Sequence, residues 1–161
     1  MSRIKELIKD DDSILVFDID GVLAIMEFGE RNHFLTDEEW SKKLLNKENV
    51  YVKEIVSSKI QKFLKTKNMN NIYVLTKIDA DIEKKHKEDF ASNYYNIRKE
   101  NVYCVKKDSD KVKIIKEIRK KHLNVSDEKI IMIDDSVDVL NDILNETYYS
   151  TAHISSFLDI L

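Results

Sequence analysis

Proline is missing altogether, and only two glycines, one cysteine and one tryptophan occur in 161 residues. Without proline no turn is set by a locked φ, so the turns must rely on Asn, Asp and Ser, whose short polar side chains bond nearby backbone. The single cysteine, Cys104, excludes an internal disulfide and fits a reducing compartment. It lies in the apolar run Val102-Tyr103-Cys104-Val105 and reads as a buried strand residue rather than a nucleophile. No apolar run approaches the roughly 20 residues of a membrane helix. The opening MSRIKELIKDDDS lacks both the apolar stretch and the small-residue cleavage site of a secretory leader. A cytoplasmic protein with no membrane partner is therefore expected. A large charge of one sign is lacking too: the formal net charge of -3 gives no electrostatic argument for nucleic acid or an anionic membrane as the partner, which leaves nucleic acid the less expected partner but an open one. The basic run Arg119-Lys120-Lys121-His122 sits among acids in a helical pattern and reads as a solvated helix face.

What is present is enough for one domain spanning 1–161, with 42% hydrophobic and 35% charged residues. Four short runs are apolar on both faces, as central parallel strands should be: Ile14 to Phe17, Ile72 to Leu75, Val102 to Val105 and Ile130 to Ile133. A weaker fifth runs from Thr147 to Ala152. Helical patterns fill the gaps. Residues 51–66 place Val52, Ile55, Val56, Ile60 and Phe63 on one stripe, and 80–98 are polar with anchors at Ile82, Phe90, Tyr94 and Ile97. Residues 110–123 align Val112, Ile115 and Ile118, and 137–145 align Leu140 and Leu144. Within an insert at about 24–51, Thr36-Asp37-Glu38-Glu39 predicts a capping box. Leu35 is placed as a staple, and Trp40, Leu44 and Leu45 as an inner face. Strands alternating with helices imply right-handed βαβ units and a three-layer α/β/α, Rossmann-like sandwich around a parallel sheet of about five strands. In such sheets the working site lies at the carboxyl ends of the strands.

Those ends hold the chemistry. Asp18-Ile19-Asp20-Gly21-Val22-Leu23 follows the first strand, Thr76 the second, and Asp134-Asp135-Ser136 the fourth, with Asp138 close behind; Lys111 opens the helix before that strand. Each piece alone is a common turn or capping residue. Together they bring acids to one rim, where they repel one another unless a cation joins them. Oxygen-rich sites of this kind suit a hard ion, and Mg²⁺ is the usual choice when phosphate completes the shell. A lysine and a hydroxyl can hold the remaining phosphate oxygens. The set has the parts for phosphoryl transfer to an aspartate.

At these residues the chain resembles the haloacid dehalogenase superfamily of phosphohydrolases, from about Ile14 to Ala152. The matching features are the strand followed by Asp-x-Asp-Gly-Val-Leu, the strand ending in Thr76, the lysine of Ser109-Asp110-Lys111-Val112 (with Lys106 and Lys107 as lesser candidates), and the strand ending in Asp134-Asp135. The resemblance implies that Asp18 is a nucleophile forming an aspartyl-phosphate, and that Asp20 is the acid and then the base. It implies that Thr76 and Lys111 bind phosphate, and that Mg²⁺ is held by Asp18, the Asp20 carbonyl, Asp134 and Asp135. The chain departs from the pattern at Val22, where many such phosphatases have Thr, at Asp134, where Gly is common, and at Val139, where a further acid often stands.

The insert is short for a full cap, so a nearly capless site open to large phosphorylated substrates is expected. Glu27, Glu30, Arg31 and His33 in the insert, and His153 after the fifth strand, are candidates to touch a leaving group, although a surface-loop role fits each of them better. His86 and His122 fall in helical patterns and have no expected role. A phosphorylated receiver domain would place its acidic pair after the first strand, not the fourth. A phosphomutase would want a cap, and a dehalogenase would lack these metal-ready acids. The remaining alternative is a catalytically silent binding or regulatory subunit, against which both Asp18 and Asp20 speak.

Overall fold

The computed structural model describes residues 2–25 and 36–161. Five strands form one all-parallel sheet: β1 (Ile14–Phe17), β2 (Ile72–Lys77), β3 (Val102–Val105), β4 (Ile130–Asp134) and β5 (Ser150–His153), in the order β3-β2-β1-β4-β5. The two-residue period of a strand explains why β1 and the first four residues of β2 and of β4 are apolar: alternate residues enter different cores. Leu15 and Phe17 join Val74, Ile131 and Ile133 on one face. That face is covered by α1 (Arg3–Lys9), α3 (Ser58–Leu64), α4 (Asp81–Tyr95) and the single turn α7 (Ile154–Phe157). Ile14 and Val16 join Leu75, Ile130 and Met132 on the other, under α5 (Lys111–Lys120) and α6 (Val137–Glu146). Each fully buried Leu, Ile or Phe side chain contributes roughly 1.5–3 kcal/mol by leaving water. The predicted three-layer α/β/α sandwich is thus the observed one.

Several local expectations need correction. Residues 51–66 are not one helix. A 3₁₀ turn at Lys53–Ile55 ends in extended backbone at Val56, and α3 begins afresh after Ser57, whose hydroxyl accepts the Ile60 N–H at 3.3 Å. The break lets the Ile55 carbonyl accept the Ile25 N–H (2.8 Å) and Val56 bridge Ala24, so the segment pins the loop after β1. The fifth strand starts at Ser150 because Thr147 terminates α6: its hydroxyl donates to the Ile143 carbonyl (2.6 Å) and accepts the Tyr149 N–H (3.1 Å). The inner stripe of α6 is Val139, Leu140 and Ile143, leaving Leu144 exposed.

In the insert, α2 (Asp37–Leu45) starts at the predicted capping box: the Thr36 hydroxyl accepts the Glu39 N–H (3.2 Å), and Glu39 accepts the Thr36 N–H (2.9 Å). Trp40 and Leu44 are half-buried, whereas Leu45 points to solvent. β3 is an edge strand rather than a central one, so Cys104 is half-buried. α1 was not expected from the sequence. Leu35 lies outside the described residues.

Candidate active site

The strand order reverses direction at β1: β2 and β3 extend to one side, β4 and β5 to the other. A crevice therefore opens at the carboxyl ends of β1 and β4. Register decides which side chains meet there. Phe17 pairs with Ile133, and the Asp18 N–H continues the ladder to the Ile133 carbonyl at 3.0 Å, so Asp18 and Asp134 leave neighbouring strands side by side. Asp18, Asp134 and Asp135 each offer an oxygen, all within 4.8 Å of one another.

Asp134 is 0% exposed and each of its oxygens accepts a hydrogen bond: Oδ1 from the Ser136 N–H (2.9 Å), and Oδ2 from the Lys111 ammonium (2.9 Å). Lys111, 2% exposed, arrives on the first turn of α5 after a 3₁₀ turn at Asp108–Asp110. It lies 3.6 Å from Asp18 Oδ1 and 3.4 Å from Asp108 Oδ1. Burial opposes its charge, but Asp18 and Asp134 more than offset this and hold the ammonium above the usual lysine range. Asp18 is 7% exposed, and its Oδ1 is buried with no hydrogen-bond partner. Burial pushes its carboxyl up to about 7; Lys111 opposes this, and Asp134 and Asp20 reinforce it. Burial, with the Asp134 charge, also raises Asp135.

Three converging carboxylates, one buried oxygen without a partner, and only oxygen donors fit a hard divalent cation. Asp138 is exposed on the first turn of α6 and is not in this cluster.

The loop after β1 folds back on itself. Val22 and Ala24 N–H groups both bond the Ile19 carbonyl, at 3.1 and 2.8 Å. Gly21 has φ +73°, in the left-handed region, and a Cβ there would stand 2.2 Å from Asp135 Oδ2. Both demands require glycine at this position. Tyr95 ties the loop to the scaffold: its hydroxyl donates to the Leu23 carbonyl (2.6 Å) and accepts the Ser57 N–H (2.8 Å).

The turn sends Asp20 to a different set of partners from Asp18. The Tyr51 hydroxyl donates to Asp20 Oδ1 at 3.0 Å, and the Lys87 ammonium to Asp20 Oδ2 at 2.6 Å. Lys87 also donates to the Thr76 hydroxyl (3.1 Å) and to the Lys77 carbonyl. Burial and the adjacent Asp20 charge raise the Tyr51 hydroxyl well above its ordinary value, so it stays a donor. Tyr51 is packed between Trp40 of α2 (6.0 Å between ring centroids) and Phe90 of α4 (5.7 Å).

Of the residues singled out at the strand ends, Asp18, Asp20, Thr76, Lys111, Asp134 and Asp135 thus lie at one rim, and Asp138 does not join them. Sequence reasoning missed Lys87 and Tyr51. The signal for Lys87 was the stripe Glu83, Lys87, Phe90, Ala91, which is buried and puts two charges on the inner face of α4. Glu83 accepts the N–H groups of Asp79 (2.5 Å) and Ala80 (3.0 Å), which caps the helix. His153 sits near the rim, but its ring is engaged with the Ser155 hydroxyl (2.7 Å) and the Asp135 carbonyl (3.1 Å). Lys106 is exposed and paired with Asp81, and Lys107 is exposed. Glu27, Glu30, Arg31 and His33 lie outside the described residues. Among the described residues no helix is long and apolar enough to cross a membrane.

Comparison with known protein families finds no match, and neither does comparison with curated proteins. Among solved structures, DsGPDH of Dunaliella salina is similar over 95% of this chain, with a TM-score of 0.60 and 14% identity. The chain covers 25% of that protein, so the likeness is to a part of it and establishes a shared Rossmann-like α/β fold.

Proposed function

We propose that the chain is a Mg²⁺-dependent phosphomonoester hydrolase of the haloacid dehalogenase type, working through an aspartyl-phosphate on Asp18. The observation that supports this reading best is Asp18 itself: a buried carboxylate with one unpartnered oxygen, at the strand-reversal crevice, beside Lys111 and two further carboxylates. Mg²⁺ held by Asp18, the Asp20 carbonyl, Asp134 and Asp135 would shield the attacking carboxylate from an anionic ester and polarise the phosphoryl group.

In this reading an Asp18 oxygen attacks phosphorus. The new bond is Asp18 O–P, the ester O–P bond breaks, and Asp20 gives its proton to the departing alkoxide. Water then loses a proton to Asp20 and attacks the same phosphorus. The Asp18 O–P bond breaks, and free carboxylate and inorganic phosphate are restored. Thr76 and Lys111 hold the non-bridging oxygens, and Lys111 balances the charge of Asp18 while the site is empty of substrate. The substrate is a phosphate ester, and a large one suits a rim with a short insert.

The test is phosphate release from para-nitrophenyl phosphate and a panel of natural esters, with Mg²⁺ and with EDTA, by wild type and Asp18→Ala. Metal-dependent release that is lost in the variant is the expected result. Release equal to the Asp18→Ala background on every ester would overturn the hydrolase and leave a silent binding subunit.

A further inference from the structure

Lys87 is 1% exposed, sits eleven residues beyond Thr76 on another element, and belongs to none of the strand-end motifs. An ammonium has three N–H donors. Those of Lys87 meet three acceptors: Asp20 Oδ2, Thr76 Oγ1 and the Lys77 carbonyl. Its capacity is filled from within the protein, so no donor remains for a substrate phosphate. Asp20, for its part, is gripped on both oxygens, by Lys87 on Oδ2 and Tyr51 on Oδ1. Its carboxyl plane cannot rotate without breaking one of these bonds. Each oxygen keeps a second lone-pair site, so the grip fixes orientation without using up proton-carrying capacity. Thr76 receives the Lys87 N–H on its oxygen, which leaves its own O–H free to donate.

Resting on the phosphohydrolase reading, we propose that Lys87 is a positioning residue that acts through Asp20, with Tyr51 as its counterpart. It aims the acid/base carboxyl at the leaving-group oxygen. The ring of Tyr51, packed edge-on against Trp40, extends the same support to the insert helix α2. A proton donor held in place gains rate from orientation alone, because a freely turning carboxyl spends most of its time misaligned.

The test compares kcat/KM on an alkyl phosphate and on para-nitrophenyl phosphate, which reports steps through departure of the leaving group. Nitrophenolate departs without a proton, whereas an alkoxide needs one. In Lys87→Met, of similar volume, the alkyl ester should lose about tenfold or more beyond the loss on the aryl ester. The inhibition constant of inorganic phosphate should change less than about threefold, because Lys87 makes no phosphate contact. Tyr51→Phe keeps the ring packing and should shift the ester ratio the same way by a smaller factor; it decides the matter if Lys87→Met does not fold. Equal losses on both esters would make Lys87 merely structural and overturn the proposal. A phosphate inhibition constant weakened in step with kcat/KM would make it a phosphate ligand, with the same consequence. No turnover of either ester by wild type would overturn the hydrolase reading, and this proposal with it. Wild-type turnover with an unchanged ratio in both variants overturns this proposal alone.

Discussion

Gly21 and Asp135 occupy space that only one of them can enlarge. Gly21→Ala puts a methyl 2.2 Å from an Asp135 carboxylate oxygen and a side chain at φ +73°. Left-handed backbone alone costs a side-chain-bearing residue about 1–2 kcal/mol. The variant should therefore melt several degrees lower and require more Mg²⁺ for half-maximal thermal stabilisation, because Asp135 must swing away from the acidic cluster. Asp18 sets a second expectation. Its carboxyl is held at about 7 against an ordinary 3.8, chiefly by burial, so the fold favours the protonated form. That contribution to stability is complete below the ordinary value and is lost as pH rises through about 7. In EDTA, the melting temperature of wild type relative to Asp18→Asn, which cannot ionise, should fall between pH 4 and pH 7. A flat difference across that range would contradict it.

At the scale of elements, the loop after β1 is held by α4 and by the segment preceding α3. Tyr95→Phe keeps the ring against Phe90 but leaves the Leu23 carbonyl and the Ser57 N–H without their partner. Buried polar groups so abandoned cost about 1–3 kcal/mol, which urea unfolding would register as a lower midpoint with unchanged slope. Elements with a single demand on them were legible in the sequence. β1 and β4 are apolar on both faces because they are central, and the acids at their ends stood out once three strand ends and the lysine opening α5 agreed. α5 declared itself through Val112, Ile115 and Ile118. Elements that answer to two demands were not legible. The 51–66 pattern has helical spacing throughout, yet Ile55 and Val56 serve the loop after β1, and the helix gives way to that pairing. α4 looked polar because two of its inward positions are charged: Glu83, which accepts N–H groups of the turn just before the helix, and Lys87, which is satisfied by Asp20, far away in sequence. Residues 147–149 have strand-like composition, but the Thr147 hydroxyl caps α6 first.

For the whole molecule, the phosphohydrolase reading predicts that stability depends on a cation at the acidic cluster. Anything that binds the native state alone adds about 2.7 kcal/mol at a hundredfold excess over its dissociation constant. For a protein of this size that is a rise in melting temperature of about 5–10 °C. Mg²⁺ should produce it in wild type, and Asp134→Asn should abolish most of it; a scan of melting temperature against Mg²⁺ concentration is the check. The strand order has a further consequence, for synthesis. The first strand made is the central one, and its two flanks come late: Leu15 awaits Ile72, and Ile14 awaits Ile130. At about 5–20 residues per second, the nascent Ile14–Phe17 segment emerges seconds before its second neighbour exists. During that interval one edge of the future centre is an apolar, unpaired ribbon, so newly made chains should depend on holding factors, and truncation ahead of β4 should raise the aggregated fraction above that of the whole chain.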